Sequence, residues 1–116
     1  MTWRKVADLD AVASGSMAVF VVDGIELLVV RGKEHTLVIP PVCPHMSSAL
    51  LDDGLFDGCT LTCTTHLWQF SVADGGAPIG LAEAPLLTYE SKEMDGAVYV
   101  NLVQELKYPH QSGDPD

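Results

Sequence analysis

The sequence predicts an all-β fold, a sandwich or small barrel of antiparallel strands. Short runs rich in valine, leucine and isoleucine are separated by Gly, Pro and Asp, which is the spacing of strands and turns. Two Asp-Gly pairs, at 23–24 and 95–96, each lie between two such runs, and Asp-Gly favours a two-residue hairpin turn. Evidence for helices is limited to single turns at 8–13 and 102–106.

The individual strands take their limits from these turn residues. Strands are predicted at 17–22, 25–31, 36–40, 61–63, 67–71, 85–93 and 97–102. The first two form one hairpin and the last two form a closing hairpin. The polar tail, 109–116, is predicted to fray. No repeat or interdomain linker interrupts the pattern, so we expect a single domain over residues 1–116.

Composition and charge restrict the classes of partner. Of the 116 residues, 47% are hydrophobic and 19% are charged, which is typical of a globular chain rather than a disordered one. Sixteen acidic against six basic residues give a net charge of −10, which argues against nucleic acid and anionic membranes and favours a protein partner with a basic face. The stretch 35–51 lacks charged residues but contains three prolines, so it is not a membrane helix. We expect a cytoplasmic monomer.

The acidic excess is concentrated in the middle of the chain. No Lys or Arg lies between Lys33 and Lys92. This stretch has a net charge of −7, from Glu34, Asp52, Asp53, Asp57, Asp74, Glu83 and Glu90. A charge run is often only a solvated face. Here the same stretch contains both Cys-His pairs of the chain, which favours a functional acidic surface.

Two short motifs carry the candidate chemistry. They are Cys43-Pro44-His45 and Cys63-Thr64-Thr65-His66, separated by the seventeen residues 46–62. Each motif offers one thiolate and one imidazole, both of which bind transition metals. Together they use two of the three cysteines and two of the four histidines. The sequence therefore predicts a metal centre with Cys43, His45, Cys63 and His66 as ligands.

The pairing of ligands distinguishes between metals. A structural zinc site can use two Cys and two His, but its usual spacing pairs cysteine with cysteine and histidine with histidine. Here each pair is mixed. Mixed pairs on two loops favour a two-iron cluster in which one iron binds both thiolates and the other binds both imidazoles, which is the ligand set of a Rieske [2Fe-2S] centre. A structural zinc module remains the alternative.

At these residues the sequence resembles the Rieske family, whose signature is Cys-x-His followed by Cys-x-x-His. The resemblance implies that Cys43 and Cys63 bind the buried iron and that His45 and His66 bind the outer iron. It also implies two packed antiparallel sheets plus a small cluster-binding subdomain formed by two loops, at about residues 41–80. The cofactor would be one [2Fe-2S] cluster.

Departures from the respiratory members of the family indicate a low-potential branch. Those proteins have two further cysteines that form a disulfide, and here Ser48 and Thr65 stand in their places. They also have a serine and a tyrosine whose hydroxyls donate to cluster sulfur, and here Trp68 and Phe70 stand there. Because such hydrogen bonds stabilise the reduced cluster, their loss lowers the reduction potential. We expect a value on the order of −150 mV.

The segment 66–70, His-Leu-Trp-Gln-Phe, resembles the ferredoxins of multicomponent diiron monooxygenases that oxidise toluene or small alkenes. This resemblance implies a non-catalytic carrier that accepts electrons from an NADH-dependent flavoprotein reductase and delivers them to the hydroxylase component of an oxygenase. The ferredoxin of a Rieske aromatic-ring dioxygenase and the small subunit of a nitrite reductase remain alternatives. A complete Rieske oxygenase is disfavoured, because only His35 and His110 are left for a second iron site.

The remaining reactive side chains receive structural interpretations. We expect Cys59 to be a small buried or strand residue, and His35 and His110 to be solvated. We expect the exposed edges of His45 and His66 to be the exit for the electron. Their acidic rim is predicted to consist of Asp52, Asp53 and Asp57.

Overall fold

A computed structural model describes residues 3–33, 35–42, 50–64, 67–80, 82 and 84–108, and of residues 52 and 53 the backbone alone. The strands are β1 (Trp3–Asp8), β2 (Ser16–Val22), β3 (Ile25–Arg31), β4 (Thr36–Ile39), β5 (Gly54–Phe56), β6 (Thr60–Cys63), β7 (Trp68–Ser71), β8 (Ala77–Ile79), β9 (Ser91–Met94) and β10 (Ala97–Asn101). One short helix, α1 (Leu50–Asp53), precedes β5, and a single 3-10 turn covers Leu9–Ala11. All pairings are antiparallel, so the predicted fold class is confirmed. Among the described residues, no helix is long and apolar enough to cross a membrane.

Two three-stranded sheets form the scaffold, in the orders β2-β3-β4 and β1-β10-β9. Both predicted Asp-Gly hairpins are confirmed, with Asp23 and Asp95 in the left-handed region that such turns require. Strand β3 is central, and four consecutive residues of it, 27–30, are fully buried. Leu27 and Val29 pack into the core against the β1-β10-β9 sheet, whereas the residues between and after them face the opposite side.

The third sheet has four short strands in the order β5-β6-β7-β8. Its inward positions alternate with outward ones, so that Leu61, Cys63, Trp68 and Phe70 are buried. These four side chains pack with Leu28 and further residues of the same core cluster. The sheet lies within the predicted cluster-binding part of the chain and is fixed to the scaffold through β3.

Several local predictions differ from the structure. The strand predicted at 85–93 exists only as β9, because the backbone before it bonds to two separate parts of the chain. Leu86 N donates to Gly76 O, just before β8, and Tyr89 N donates to Val38 O in β4. No helical turn forms at 102–106, whereas the turn predicted within 8–13 is confirmed. Strand β1 was not predicted, because three of its six residues are charged and its extended form depends on pairing with β10.

Candidate metal centre

Of the four predicted ligands, Cys63 lies within the described residues, and Cys43, His45 and His66 lie outside them. Cys63 is the last residue of β6, and its thiol is free and fully buried. It pairs across the sheet with Gly54 of β5 and with Trp68 of β7. The predicted ligand is therefore held between two strands at the end of the third sheet.

A main-chain hydrogen bond joins the residues on either side of the segment that contains Cys43 and His45 in the sequence. The amide of Leu50 donates to the carbonyl of Pro41 over 2.9 Å. Leu50 is itself fully buried in the same core cluster as Cys63. The end of the first motif-bearing segment and the start of the second therefore share one core.

Gly54 makes the junction between α1 and β5 possible. A Cβ atom at this position would overlap the backbone carbonyl oxygen of Leu50. Because a carbonyl oxygen on the main chain cannot move aside cheaply, only glycine allows α1 to run directly into the strand beside Cys63.

The second motif is closed in a similar way. The amide of Leu67 donates to the carbonyl of Cys63 over 2.7 Å, so the chain returns into β7 immediately after the motif. Leu67 takes up a left-handed backbone, with φ of +60°, and its side chain is 63% exposed. Nothing in the sequence pattern indicated this conformation, because leucine rarely adopts it.

The surroundings of Cys63 are apolar on the inner side. The rings of Trp68 and Phe70 meet edge to face, with 6.4 Å between centroids and 62° between planes. Both side chains belong to the core cluster that contains Cys63. The thiol of Cys63 is buried and free, and apolar side chains cover it on the inner side. Such a thiol fits a thiolate ligand of an iron–sulfur cluster.

Comparison with protein families decides between the candidate centres. The family model for the Rieske [2Fe-2S] domain matches residues 2–90. The chain belongs to the Rieske family.

Two curated relatives extend this Rieske assignment. The chain is 35% identical over 114 residues to the methanesulfonate monooxygenase ferredoxin subunit of Methylosulfonomonas methylovora, covering 98% of this chain and 92% of the relative. It is 34% identical over 95 residues to the ferredoxin component of the alkene monooxygenase system of Xanthobacter autotrophicus, covering 82% of this chain and 77% of the relative.

Solved Rieske structures have the same fold. The ferredoxin of carbazole 1,9a-dioxygenase from Nocardioides aromaticivorans matches with a TM-score of 0.71 at 31% identity, covering 86% of this chain and 97% of that one. A structure titled as the complex of reduced oxygenase and oxidised ferredoxin in carbazole 1,9a-dioxygenase matches with a TM-score of 0.73 at 26% identity, covering 91% and 98%. This Rieske protein is an electron carrier with a [2Fe-2S] cofactor, not itself a catalyst.

One residue of the predicted acidic rim, Asp57, lies at the other end of a strand from the position that pairs with Cys63. Asp57 lies beyond the end of β5, whereas Gly54 at its start pairs with Cys63, so the strand separates them by about 10 Å. The Asp57 carboxylate instead accepts bonds from the amides of Thr60 and Cys59, and these bonds lower its pKa from the ordinary value. The side chains of Asp52 and Asp53 lie outside the described part of the structure.

The expectation for Cys59 is wrong, although it does not affect the ligand set. Cys59 is exposed in the turn between β5 and β6, at the end of the sheet away from Cys63. Its amide is engaged by Asp57, which forms the turn and keeps the residue out of the strand. His35 is exposed, as predicted, and His110 lies outside the described residues.

Proposed function

We propose that this protein carries single electrons in the cytoplasm from an NADH-dependent flavoprotein reductase to the hydroxylase component of a terminal oxygenase. Cys43, His45, Cys63 and His66 are the proposed cluster ligands, and residues 41–80 are the proposed cluster-binding part of a single domain. The observation that carries the ligand assignment is the buried free thiol of Cys63 at the junction of the two closed segments.

The cluster, when bound, supplies reversible transfer of one electron. The residues of the chain control the surroundings of that step. The Cys63 thiolate would hold the inner iron on the core side, where Trp68 and Phe70 exclude water. The family ligand pattern assigns the outer iron to His45 and His66, so the electron would pass through the edge of the protein that carries these histidines.

The relatives favour a monooxygenase as acceptor. Both curated relatives are named as ferredoxins of monooxygenase systems, one acting on methanesulfonate and one on alkenes. The alkene system supports the hydrocarbon monooxygenase expected from segment 66–70. The carbazole dioxygenase ferredoxin, at 31% identity, supports the ferredoxin of a ring dioxygenase as the second candidate.

Reconstitution tests the proposed role. The purified holoprotein is expected to be brown, to be reduced by NADH only when a flavoprotein reductase is present, and to pass its electron to an added oxygenase hydroxylase component. A colourless protein that binds zinc and takes up no electron would contradict the proposal.

Salt dependence tests the acidic docking surface. We expect association with the oxygenase to slow as salt rises, because the Debye length falls to about 10 Å at 0.1 M. The double variant Asp52→Asn/Asp53→Asn is expected to weaken that dependence, whereas Asp57→Asn, at the far end of β5, is the matched control and should leave it unchanged. Equal effects of the two variants would contradict a docking surface at the Cys63 end.

A further inference from the structure

Leu67 is an outlier among the described residues. Apart from glycine, three of these residues have a left-handed backbone: Asp23, Leu67 and Asp95. The two aspartates each precede a glycine in a hairpin turn, where the left-handed form is required and Asp tolerates it. Leu67 has no such justification, because a branched apolar side chain gains nothing locally from this conformation.

Burial does not compensate for the strain at Leu67. Its side chain is 63% exposed, whereas Trp68, the next residue, is 9% exposed. The hydrogen bond that fixes the turn, from the amide of Leu67 to the Cys63 carbonyl, involves only the main chain and would form equally well with glycine or asparagine at this position. The leucine side chain is therefore both strained and largely unused in the folded protein, a combination that occurs at functional sites.

The position of Leu67 indicates its use. It follows His66 directly in the sequence, and its amide is bonded to the residue that we assign as a cluster ligand. Any partner that takes the electron must come close to this end of the third sheet. Carboxylates on such a surface accelerate encounter, but an apolar contact that excludes water fixes the orientation of the two proteins.

We propose that Leu67 is the apolar anchor that seats this protein on the hydroxylase component of its oxygenase, in a depression lined by apolar side chains beside the electron-accepting site. This inference rests on the proposed function. We choose the oxygenase as the partner of this surface because the similar ferredoxin of carbazole 1,9a-dioxygenase is found in complex with its oxygenase. The leucine side chain acts by binding and positioning, and takes no part in the electron transfer itself.

Three substitutions separate the docking role from the strain. Leu67→Asn relieves the left-handed strain and removes the apolar contact. Leu67→Ala removes the contact but keeps the strain. Leu67→Met keeps an apolar side chain of similar size. Met94→Asn is the matched surface control, because Met94 is 44% exposed in β9 of a different sheet. Asp95→Gly, in the adjoining hairpin, is the control for relief of a left-handed residue.

The readouts are the visible spectrum, the reduction potential, the melting temperature, and the rates of reduction by the reductase and of oxidation by the oxygenase. With spectrum and potential unchanged, Leu67→Asn is expected to raise the melting temperature by a few degrees, roughly 3–6 °C. The same variant and Leu67→Ala are expected to lower the second-order rate with the oxygenase at least about tenfold. Leu67→Met and both controls are expected to stay within about twofold of the wild-type rate.

The possible contradictions are distinct. Wild-type transfer rates in Leu67→Asn and Leu67→Ala would overturn the proposal, and so would a loss that appears only in the step with the reductase. A changed potential that accounts for the slower rate would also overturn it, since Leu67 would then shield the cluster rather than bind the partner. Failure of the wild-type protein to reduce the oxygenase would instead refute the proposed function itself.

Discussion

The scaffold sheets and the third sheet are built by different means. In the scaffold, strands of up to seven residues are paired over their full length, and two Asp-Gly turns connect them. In the third sheet the strands have three or four residues. The end of this sheet that contains Cys63, called here the metal end, depends on two main-chain hydrogen bonds, from Leu50 to Pro41 and from Leu67 to Cys63. Local sequence pattern determines the first region, whereas close approach and the metal ligands determine the second.

Gly54→Ala is the substitution expected to destabilise the metal end most without replacing a proposed ligand. The added Cβ would overlap the Leu50 carbonyl, so we expect a loss of about 1–3 kcal/mol in the free energy of unfolding, together with reduced cluster content. Iron analysis and denaturant titration measure both effects.

Gly15→Ala provides the comparison within the scaffold. Gly15 has a φ of +84° with open space around it, so the variant suffers backbone strain of about 1–2 kcal/mol without overlap. It is expected to keep full cluster content. Equal loss of iron in the two glycine variants would contradict a special role for the junction between α1 and β5.

The scaffold can be destabilised by substituting two tyrosines whose hydroxyls bind main-chain amides and attach the C-terminal segment. The amide of Leu106 donates to the hydroxyl of Tyr89, and the amide of Leu87 donates to the hydroxyl of Tyr108, each over 2.8 Å. Tyr89→Phe and Tyr108→Phe are each expected to cost about 1 kcal/mol of unfolding free energy. The visible spectrum of the cluster should not change, and a spectral change would show that the two regions are coupled.

Alkaline pH tests the same attachment. Burial raises the pKa of Tyr89 above its ordinary value near 10; the hydrogen bond from the Leu106 amide opposes this shift, and the Glu105 carboxylate adds a smaller increase. The folded form therefore gains stability from neutral Tyr89 at pH below about 10, and loses it as the pH rises through the raised pKa. Unfolding measured from pH 8 to 11 should show this decline in the wild type and less of it in Tyr89→Phe.

The smallest expected effect is electronic. Phe70→Tyr adds one hydroxyl to a side chain buried in the same core cluster as Cys63. A difference of about 1 kcal/mol between redox states would raise the one-electron potential by about 40 mV. Voltammetry measures the shift. No rise with an intact cluster would mean that the hydroxyl at position 70 does not reach a ligand sulfur.

The reach of sequence reasoning depends on whether the signal is local in the chain, in both the scaffold and the third sheet. The hairpin around Asp23 and the strand ending at Cys63 were predicted, because periodicity and turn chemistry are local signals. Strand β1 was missed, because its pairing with β10 joins the two ends of the chain.

At the metal end, the motif spacing predicted the ligands, but the geometry around them carried no local signal. The close approach at Gly54 and the left-handed Leu67 depend on neighbours that only the folded chain brings together. The separation of Asp57 from Cys63 along β5 was not foreseen, because sequence proximity to the motifs does not specify strand direction.

The central claim is that two cysteines and two histidines hold one two-iron cluster, and ligand variants examined by electron paramagnetic resonance test it most directly. The reduced wild type is expected to give a rhombic signal with coupling to two histidine nitrogens. Cys63→Ser, His45→Ala and His66→Ala should each lose or alter that signal, whereas Cys59→Ser, whose thiol is exposed beyond the far end of β6, should retain it unchanged. A signal that survives Cys63→Ser but disappears in Cys59→Ser would contradict the account.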